Sequence, residues 1–389
     1  MKNCGPILFK NNTDSLILSE ALFMNALVLG AGMMGRAIAH DLAKHSQFDT
    51  IALTDNDNTT LASAEQFLKN LSIEFDVLDI NNREKVKTYF KEYDVAISAV
   101  PYMFNNLLTN IAVETQTHFL DLGGNTVVVQ QQKNLHQKAK NHNVTVIPDC
   151  GLAPGLVSVV TQDIVTSLDT TEFIKIRVGG LPLNPQPPLN YQLVFSPNGL
   201  INEYVEDAIV LDHGNIITKK SMADIEKIIF PKPFGELEAF ITSGGCSTLP
   251  YTYKGRVGYL DYKTIRYPGH CEAFKPLLTM EPRKKLIDYL MQTLPSNGKD
   301  VVLMKIFGRG HTNGKLIDLE HTLIDYCDEK NHLTSMMRTT AYPVSIAAQM
   351  IERGVINDRG VFCSEEIIPH QPFFQELEKR NIIITKEVR

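Results

Sequence analysis

Asn25-Ala26-Leu27-Val28-Leu29-Gly30-Ala31-Gly32-Met33-Met34-Gly35 decides the fold. Ala26 to Leu29 reads as a buried strand. Gly30, Gly32 and Gly35 then fit G-x-G-x-x-G, and Arg36 to Lys44 reads as a helix with Ile38 and Leu42 on one face. In such a turn the first glycine permits the sharp bend, the second lets a pyrophosphate approach the backbone, and the third lets helix and strand pack closely. The helix start adds free N–H groups and the positive end of its dipole. A second strand, Thr50 to Thr54, ends at Asp55, which lies 55 − 35 = 20 residues beyond the last glycine. That is where a dinucleotide site places the acid that holds a ribose 2′-OH. A carboxylate there repels a 2′-phosphate, and no Lys or Arg occurs in Thr54-Asp55-Asn56-Asp57-Asn58, so NAD is the expected cofactor.

The pattern continues outward. Further strands are expected at Ile73 to Val77, ending near Asp79, then at Asp94 to Ser98, His118 to Leu120 and Val144 to Ile147. Helical stretches separate them at Leu61–Leu71, Arg83–Phe90, Asn105–Glu114 and Val127–Lys140. Short apolar strands alternating with helices imply a doubly wound parallel sheet, α/β in class, with ligands at the strands' carboxyl ends. After Gly155 the strands alternate and turns become dense, predicting a second α+β domain with a mixed or antiparallel sheet. Helical character returns near Thr339, with Val344, Ala347, Ala348 and Ile351 on one face. The expected organisation is an N-terminal extension over 1–23, a Rossmann domain over 24–155 and 339–389, and a substrate-binding and dimerisation domain over 156–338. The extension shows no period that would bury a face.

Composition excludes several classes. The chain has 389 residues, 43% hydrophobic and 21% charged, in the range of an ordinary globular enzyme of two domains. A net charge of −6 without a basic block argues against nucleic acid as a partner. The six cysteines form no CxxC pair and no His-rich tract accompanies them, so neither a metal site nor a disulfide framework is expected. Ala21 to Gly35 imitates a signal segment, but its glycines sit at functional spacing. No membrane span is expected, and the cytoplasm is the expected compartment.

Strand ends supply the site candidates. Ala99-Val100-Pro101, Asp55 with Asn56, and Asp79 are expected to face the cofactor with the glycine loop and Met33-Met34. Asp121-Leu122-Gly123-Gly124-Asn125 follows the fifth strand, and Gly123 suggests close approach to a ligand. Asp149-Cys150-Gly151 opens the turn after the sixth, with Gly151 expected against the cofactor. In the second domain Tyr262 to His270 concentrates polar and cationic groups. Arg266 is the candidate clamp for a substrate carboxylate and His270 for proton transfer near neutral pH. The structural alternatives are a capping or ion-paired Asp121, a buried thiol at Cys150 and a core histidine at His270.

The residues then resemble the saccharopine dehydrogenase-like family, in its L-lysine 6-dehydrogenase branch. The resemblance rests on Val28 to Gly35, Pro148 to Gly155, Leu189-Asn190-Tyr191, Gly199 to Tyr204, Ser247 to Pro250 and Lys263 to His270. It implies a two-domain, homodimeric nicotinamide enzyme acting on an amino acid at the carbon bonded to lysine's ε-nitrogen. The first expectation is NAD-dependent oxidation of L-lysine to allysine, which cyclises, with release of ammonia. The alternative is a saccharopine dehydrogenase, whose larger substrate needs more cations, with Arg177, Arg256, Arg266 and Arg309 available. A non-catalytic NAD sensor or scaffold is the reading from another class. Asp121, Cys150 and His270 are the candidate catalytic residues, and Tyr191, Arg266 and Asn125 the candidate substrate contacts.

Overall fold

A computed structural model describes residues 24–296 and 298–389; the predicted extension over 1–23 lies outside them. Six parallel strands build the first sheet: β1 (Asn25–Leu29), β2 (Thr50–Asp55), β3 (Glu74–Val77), β4 (Val95–Ser98), β5 (His118–Asp121) and β6 (Thr145–Ile147). Their crossovers are α1 (Met33–His45), α2 (Asn58–Leu68), α3 (Arg83–Glu92), α4 (Asn105–Thr115) and the pair α5 (Thr126–Lys133) and α6 (His136–Asn141). The order β3-β2-β1-β4-β5-β6 reverses direction between β1 and β4, which opens a crevice at their carboxyl ends. Local sequence fixes the helix starts. Asp57 accepts from the Thr59 and Thr60 amides, Asn82 from Lys85, and Asn125 from Val127 and Val128, filling donors that the first turn leaves free. The single helix expected over Val127–Lys140 is broken at Asn134-Leu135. There the chain tightens so that Leu135 packs on the core and His136 Nδ1 lies 3.0 Å from the Val361 carbonyl.

Helix α7 (Leu156–Thr166) leads into the second sheet. Its strands are β7 (Thr170–Pro182), β8 (Ala208–Asp212), β9 (Asn215–Lys219), β10 (Glu226–Phe230), β11 (Gly235–Ile241), β12 (Val257–Arg266), β13 (Asp300–Thr312) and β14 (Lys315–Tyr326), with α8 (Pro197–Val205) between β7 and β8. The sheet is mixed, because β7 pairs with β12 in parallel and with β13 antiparallel. The chain then returns. A long helix, Ser335–Glu352, packs on α1, and β15 (Gly360–Val361) extends the first sheet beside β6. That helix starts four residues before the expected Thr339, capped by the Thr334 hydroxyl. Buried Asp41 fastens the return, accepting from Arg380 Nε and Ser345 Oγ, each at 2.7 Å. One difference from expectation is the end of the chain. β16 (Ile384–Val388) belongs to the second sheet, paired with β14, and not to the Rossmann domain. One apolar core runs from Val28, Ile38 and Leu53 through Val157 and Ile164 to Ile176 and Val302, so the two sheets share their packing. No helix among the described residues is long and apolar enough to cross a membrane.

Candidate active site

At the crevice between β1 and β4 a groove of about 370 Å³ is lined by Gly30, Gly32, Asp55, Asn56, Ala99, Val100 and Pro101. The glycines hold it open for distinct reasons. Gly30 lies at φ +95°, in the left-handed region, and a Cβ there would stand 2.9 Å from the Ala99 carbonyl oxygen. A Cβ on Gly35 would stand 1.7 Å from the Gly30 carbonyl oxygen, so this glycine sets how closely α1 meets the turn. Before Gly32 there is open space, as backbone that receives a pyrophosphate requires. Asp55 Oδ2 accepts from the Ala31 amide at 2.7 Å, binding the loop to β2, and Oδ1 accepts from the Asp57 amide at 3.0 Å, while the residue lines the groove. Among the described residues, no Lys or Arg lines the groove. These residues fit a nicotinamide dinucleotide, which would lie along the glycine loop with its adenosine end at Asp55.

One cofactor assignment is corrected. Asp79 does not line the groove; its carboxylate is turned to the Asn81 amide at 2.9 Å, and Leu78, Ile80 and Asn81 form that wall. The Met33 side chain, first in α1, is solvent-exposed, leaving its backbone amide at the helix start as the group that could meet a phosphate, and Met34 lines the neighbouring cleft.

That cleft, about 340 Å³, joins the domains. Met34, Leu122, Gly123, Gly151 and Pro154 come from the Rossmann side; Gly180, Phe195, Glu203, Tyr262 and Arg266 come from the other. A Cβ on Gly180 would stand 2.4 Å from the Met336 methyl, so a side chain there would require Met336 to shift. Beyond Ala153, Pro154 and Phe195 the cleft opens into an annex bearing Asp149, Glu203 and Glu206, with Asn125 on its wall. The Asn125 side chain is already occupied as the α5 cap. Among residues lining cleft and annex, Arg266 is the one cation.

The structure gathers Tyr191, Arg266 and His270 as expected from their segments, with different roles. His270 is 1% exposed and does not line the cleft. Its Nδ1 lies 2.8 Å from the Leu189 carbonyl, which only accepts, so Nδ1 carries the proton and Nε2 accepts from Tyr204 Oη at 3.0 Å. Burial, with Arg266 nearby, pushes its pKa down to about 3, so it stays neutral. Tyr204 Oη in turn accepts from Arg266 Nε at 2.9 Å, and the Tyr191 ring lies 4.7 Å beneath the guanidinium. The expected catalytic His270 thus lies outside the cleft and reaches Arg266 only through Tyr204. Tyr204, missed at the level of sequence, carries the link; its place in the same segment as Glu203 was the available signal. Tyr191 backs Arg266 and does not line the cleft.

Asp121 and Cys150 are corrected likewise. Asp121 is fully buried and accepts from the amides of Gly123 (2.8 Å) and Asp149 (3.2 Å) and from Gln132 Nε2 (2.7 Å), tying the end of β5 to that of β6. Burial raises its pKa to about 6. Cys150 is fully buried with its thiol pushed up to about 12, so it offers no thiolate. Asp149, not chosen from sequence, does reach the annex. It holds φ 57°, accepts from the Ser247 hydroxyl through Oδ2, and leaves Oδ1 buried with no partner among the described residues. Of the other arginines, Arg177 is buried against Asp261 and Glu226, and Arg309 is paired with Asp318 on another face. Neither they nor Arg256 line the cleft.

Comparison with known proteins matches both halves of the chain. Residues 26–147 match the Saccharopine dehydrogenase NADP binding domain and residues 151–383 the Saccharopine dehydrogenase C-terminal domain. Saccharopine dehydrogenase [NADP(+), L-glutamate-forming] of Saccharomyces cerevisiae is 26% identical, covering 93% of this chain and 98% of its own. The mitochondrial alpha-aminoadipic semialdehyde synthase of Mus musculus is 23% identical over 51% of this chain and 22% of its own, and that of Rattus norvegicus is 21% identical over 95% and 48%. The chain therefore spans half or less of those synthases. Among solved structures, the apo Saccharomyces cerevisiae saccharopine dehydrogenase superposes with a TM-score of 0.78 at 18% identity, covering 94% of this chain and all of that one. The Legionella pneumophila homospermidine synthase bound to NAD gives 0.69 at 13% identity, covering 94% and 91%.

Proposed function

This chain belongs to the saccharopine dehydrogenase family, and on that premise we propose that it moves hydride between a nicotinamide dinucleotide and the ε-carbon of a lysine skeleton. The observation that carries the proposal is the cleft in which Arg266 and Glu203 face Met34, Gly123 and Gly151 at the end of the dinucleotide groove. Arg266 grips a substrate carboxylate, and the C–N bond lies toward the Rossmann side. The relatives' names support saccharopine and the aminoadipic semialdehyde as the substrate pair, ahead of the free lysine expected from the sequence. A specific feature favours L-lysine as the second reading. Saccharopine carries three carboxylates, while the lining offers one cation and, in the annex, three carboxylates at Asp149, Glu203 and Glu206. An acidic annex suits an ammonium group. For the cofactor, Asp55 and the groove without Lys or Arg support NAD, although the matched family domain is named for NADP. The test offers saccharopine or L-lysine with NAD or NADP, and allysine plus glutamate with either reduced cofactor, following absorbance of the reduced nicotinamide. Turnover of saccharopine without lysine selects the first reading, lysine with ammonia release the second. Turnover of neither overturns the proposal.

A further inference from the structure

We propose that Glu203 is the base that takes the proton from the substrate's reacting ammonium before hydride leaves its carbon. The inference rests on the reading of the cleft as a site for C–N oxidation, and goes beyond it by assigning the proton. An ammonium has no lone pair to drive out a hydride, so a group lining the cleft must accept its proton. Among side chains lining the cleft itself, elimination leaves one; the other two carboxylates, Asp149 and Glu206, line only the annex beyond Pro154 and Phe195. The titratable side chains lining the cleft are Glu203, Tyr262 and Arg266. Arg266 is a permanent cation, and burial pushes the Tyr262 hydroxyl far above the neutral range. His270, Cys150 and Asp121 stand outside the cleft. Glu203 projects from α8 into both cleft and annex, part-exposed there, and its carboxylate makes no side-chain hydrogen bond among the described residues. It lines both the cleft that Arg266 lines and the annex.

The charges around it tune it. Arg266 and the hydroxyls of Tyr191, Tyr204 and Tyr262 face it from the second domain; Glu206 and Asp149 stand across the annex. Burial raises its pKa to about 7 against the pull of Arg266. A base of that strength is about half ionised at neutral pH and holds a proton well enough to accept one. The step balances. The Glu203 carboxylate takes H⁺ from R–CH₂–NH₃⁺, giving the carboxylic acid and R–CH₂–NH₂. The neutral amine gives two electrons as hydride to the oxidised dinucleotide and becomes the iminium. Water converts the iminium to aldehyde and ammonium, and Glu203 returns its proton to solvent. A secondary amine follows the same course with the second amino acid as leaving group.

Glu203→Gln keeps size and removes the base. With whichever of L-lysine or saccharopine wild type oxidises, E203Q is expected to lose about 10²–10⁴-fold in kcat/KM at pH 7.5. Its deficit shrinks about ten-fold per pH unit toward the amine's own pKa of about 10.4, because it must wait for an amine already neutral in solution. The wild-type profile instead levels off just above pH 7, and E203D retains that limb. A measurement without turnover goes with it. At pH 6 and without dinucleotide, calorimetry in buffers of different ionisation heat should show wild type releasing up to one proton on binding L-lysine or saccharopine, and E203Q none. Circular-dichroism melting checks folding of E203Q; if it does not fold, E203D and the wild-type proton count decide. An unshifted profile in folded E203Q, or equal proton release, overturns the assignment and leaves the reaction standing. Wild type that oxidises neither compound removes the reaction itself.

Discussion

Removing one oxygen tests whether His270 moves protons or aims an arginine. Tyr204→Phe deletes the hydroxyl that accepts from Arg266 Nε at 2.9 Å and lies 3.0 Å from His270 Nε2. The first bond is charge-assisted, contributing about 1.5–3 kcal/mol, and the second is neutral, contributing about 0.5–1.5 kcal/mol. Both donor and acceptor left behind are buried, with Arg266 at 2% and His270 at 1% exposure, so water does not replace the loss. The expected destabilisation is roughly 2–4 kcal/mol. Arg266 keeps its bond to the Ile265 carbonyl and its bed on Tyr191, so it stays in the cleft but turns more freely. KM for the amino acid should then rise about ten-fold, part of the value of a charge-assisted clamp, with kcat and KM for the dinucleotide little changed. His270→Gln should show the same signature. In the double variant the stability losses should fall short of their sum by about 0.5–3 kcal/mol, because both changes break one chain of bonds. Urea melts and steady-state kinetics of the four proteins supply the numbers. A His270→Gln enzyme with wild-type KM and a kcat down a hundred-fold, beside a near-normal Tyr204→Phe, would refute the positioning role.

Asp55→Ala should narrow the preference for NAD over NADP, measured as the ratio of kcat/KM values. A wild type that already prefers NADP would remove Asp55 as the discriminating residue. Cys150→Ala should keep turnover within about three-fold while losing about 1–3 kcal/mol of stability, since the buried thiol only fills space; a hundred-fold loss of kcat in the folded variant would contradict this. Asp149 has a folded pKa raised to about 7, against about 3.8 for the ordinary group. Its contribution to stability is complete below the lower value and is lost as pH rises through the higher one. Asp149→Asn should therefore gain on wild type in melting temperature between pH 5 and pH 8, and a constant difference would count against the shift.

The Rossmann sheet was legible because β1, β2 and β5 are short apolar runs closed by a glycine or an acid, and helices separate the strands, a pattern set by local sterics. Strand β16 was not, because Ile384-Thr385-Lys386-Glu387-Val388 has a largely exposed face and is fixed by β14, remote in sequence. In the site, glycines could be read from spacing, since the turn demands them. Which polar residue reaches the cleft could not. Asp121, Cys150 and His270 each stand beside the cleft in sequence, but backbone amides, apolar packing and Tyr204 respectively claim their side chains. Glu203 was passed over for the converse reason, because a base without a partner leaves no paired motif.

The route of the chain has a consequence for how the protein is made. β15 reaches the first sheet only after some 200 residues beyond β6 have been synthesised, and β16 reaches the second some 60 residues after β14. Until then β6 and β14 are open edges, templates for pairing with another nascent chain. The first sheet cannot close before Val361 has emerged, nor the second before Val388. A chain that stalls before Gly360 emerges would leave both edges sticky at once.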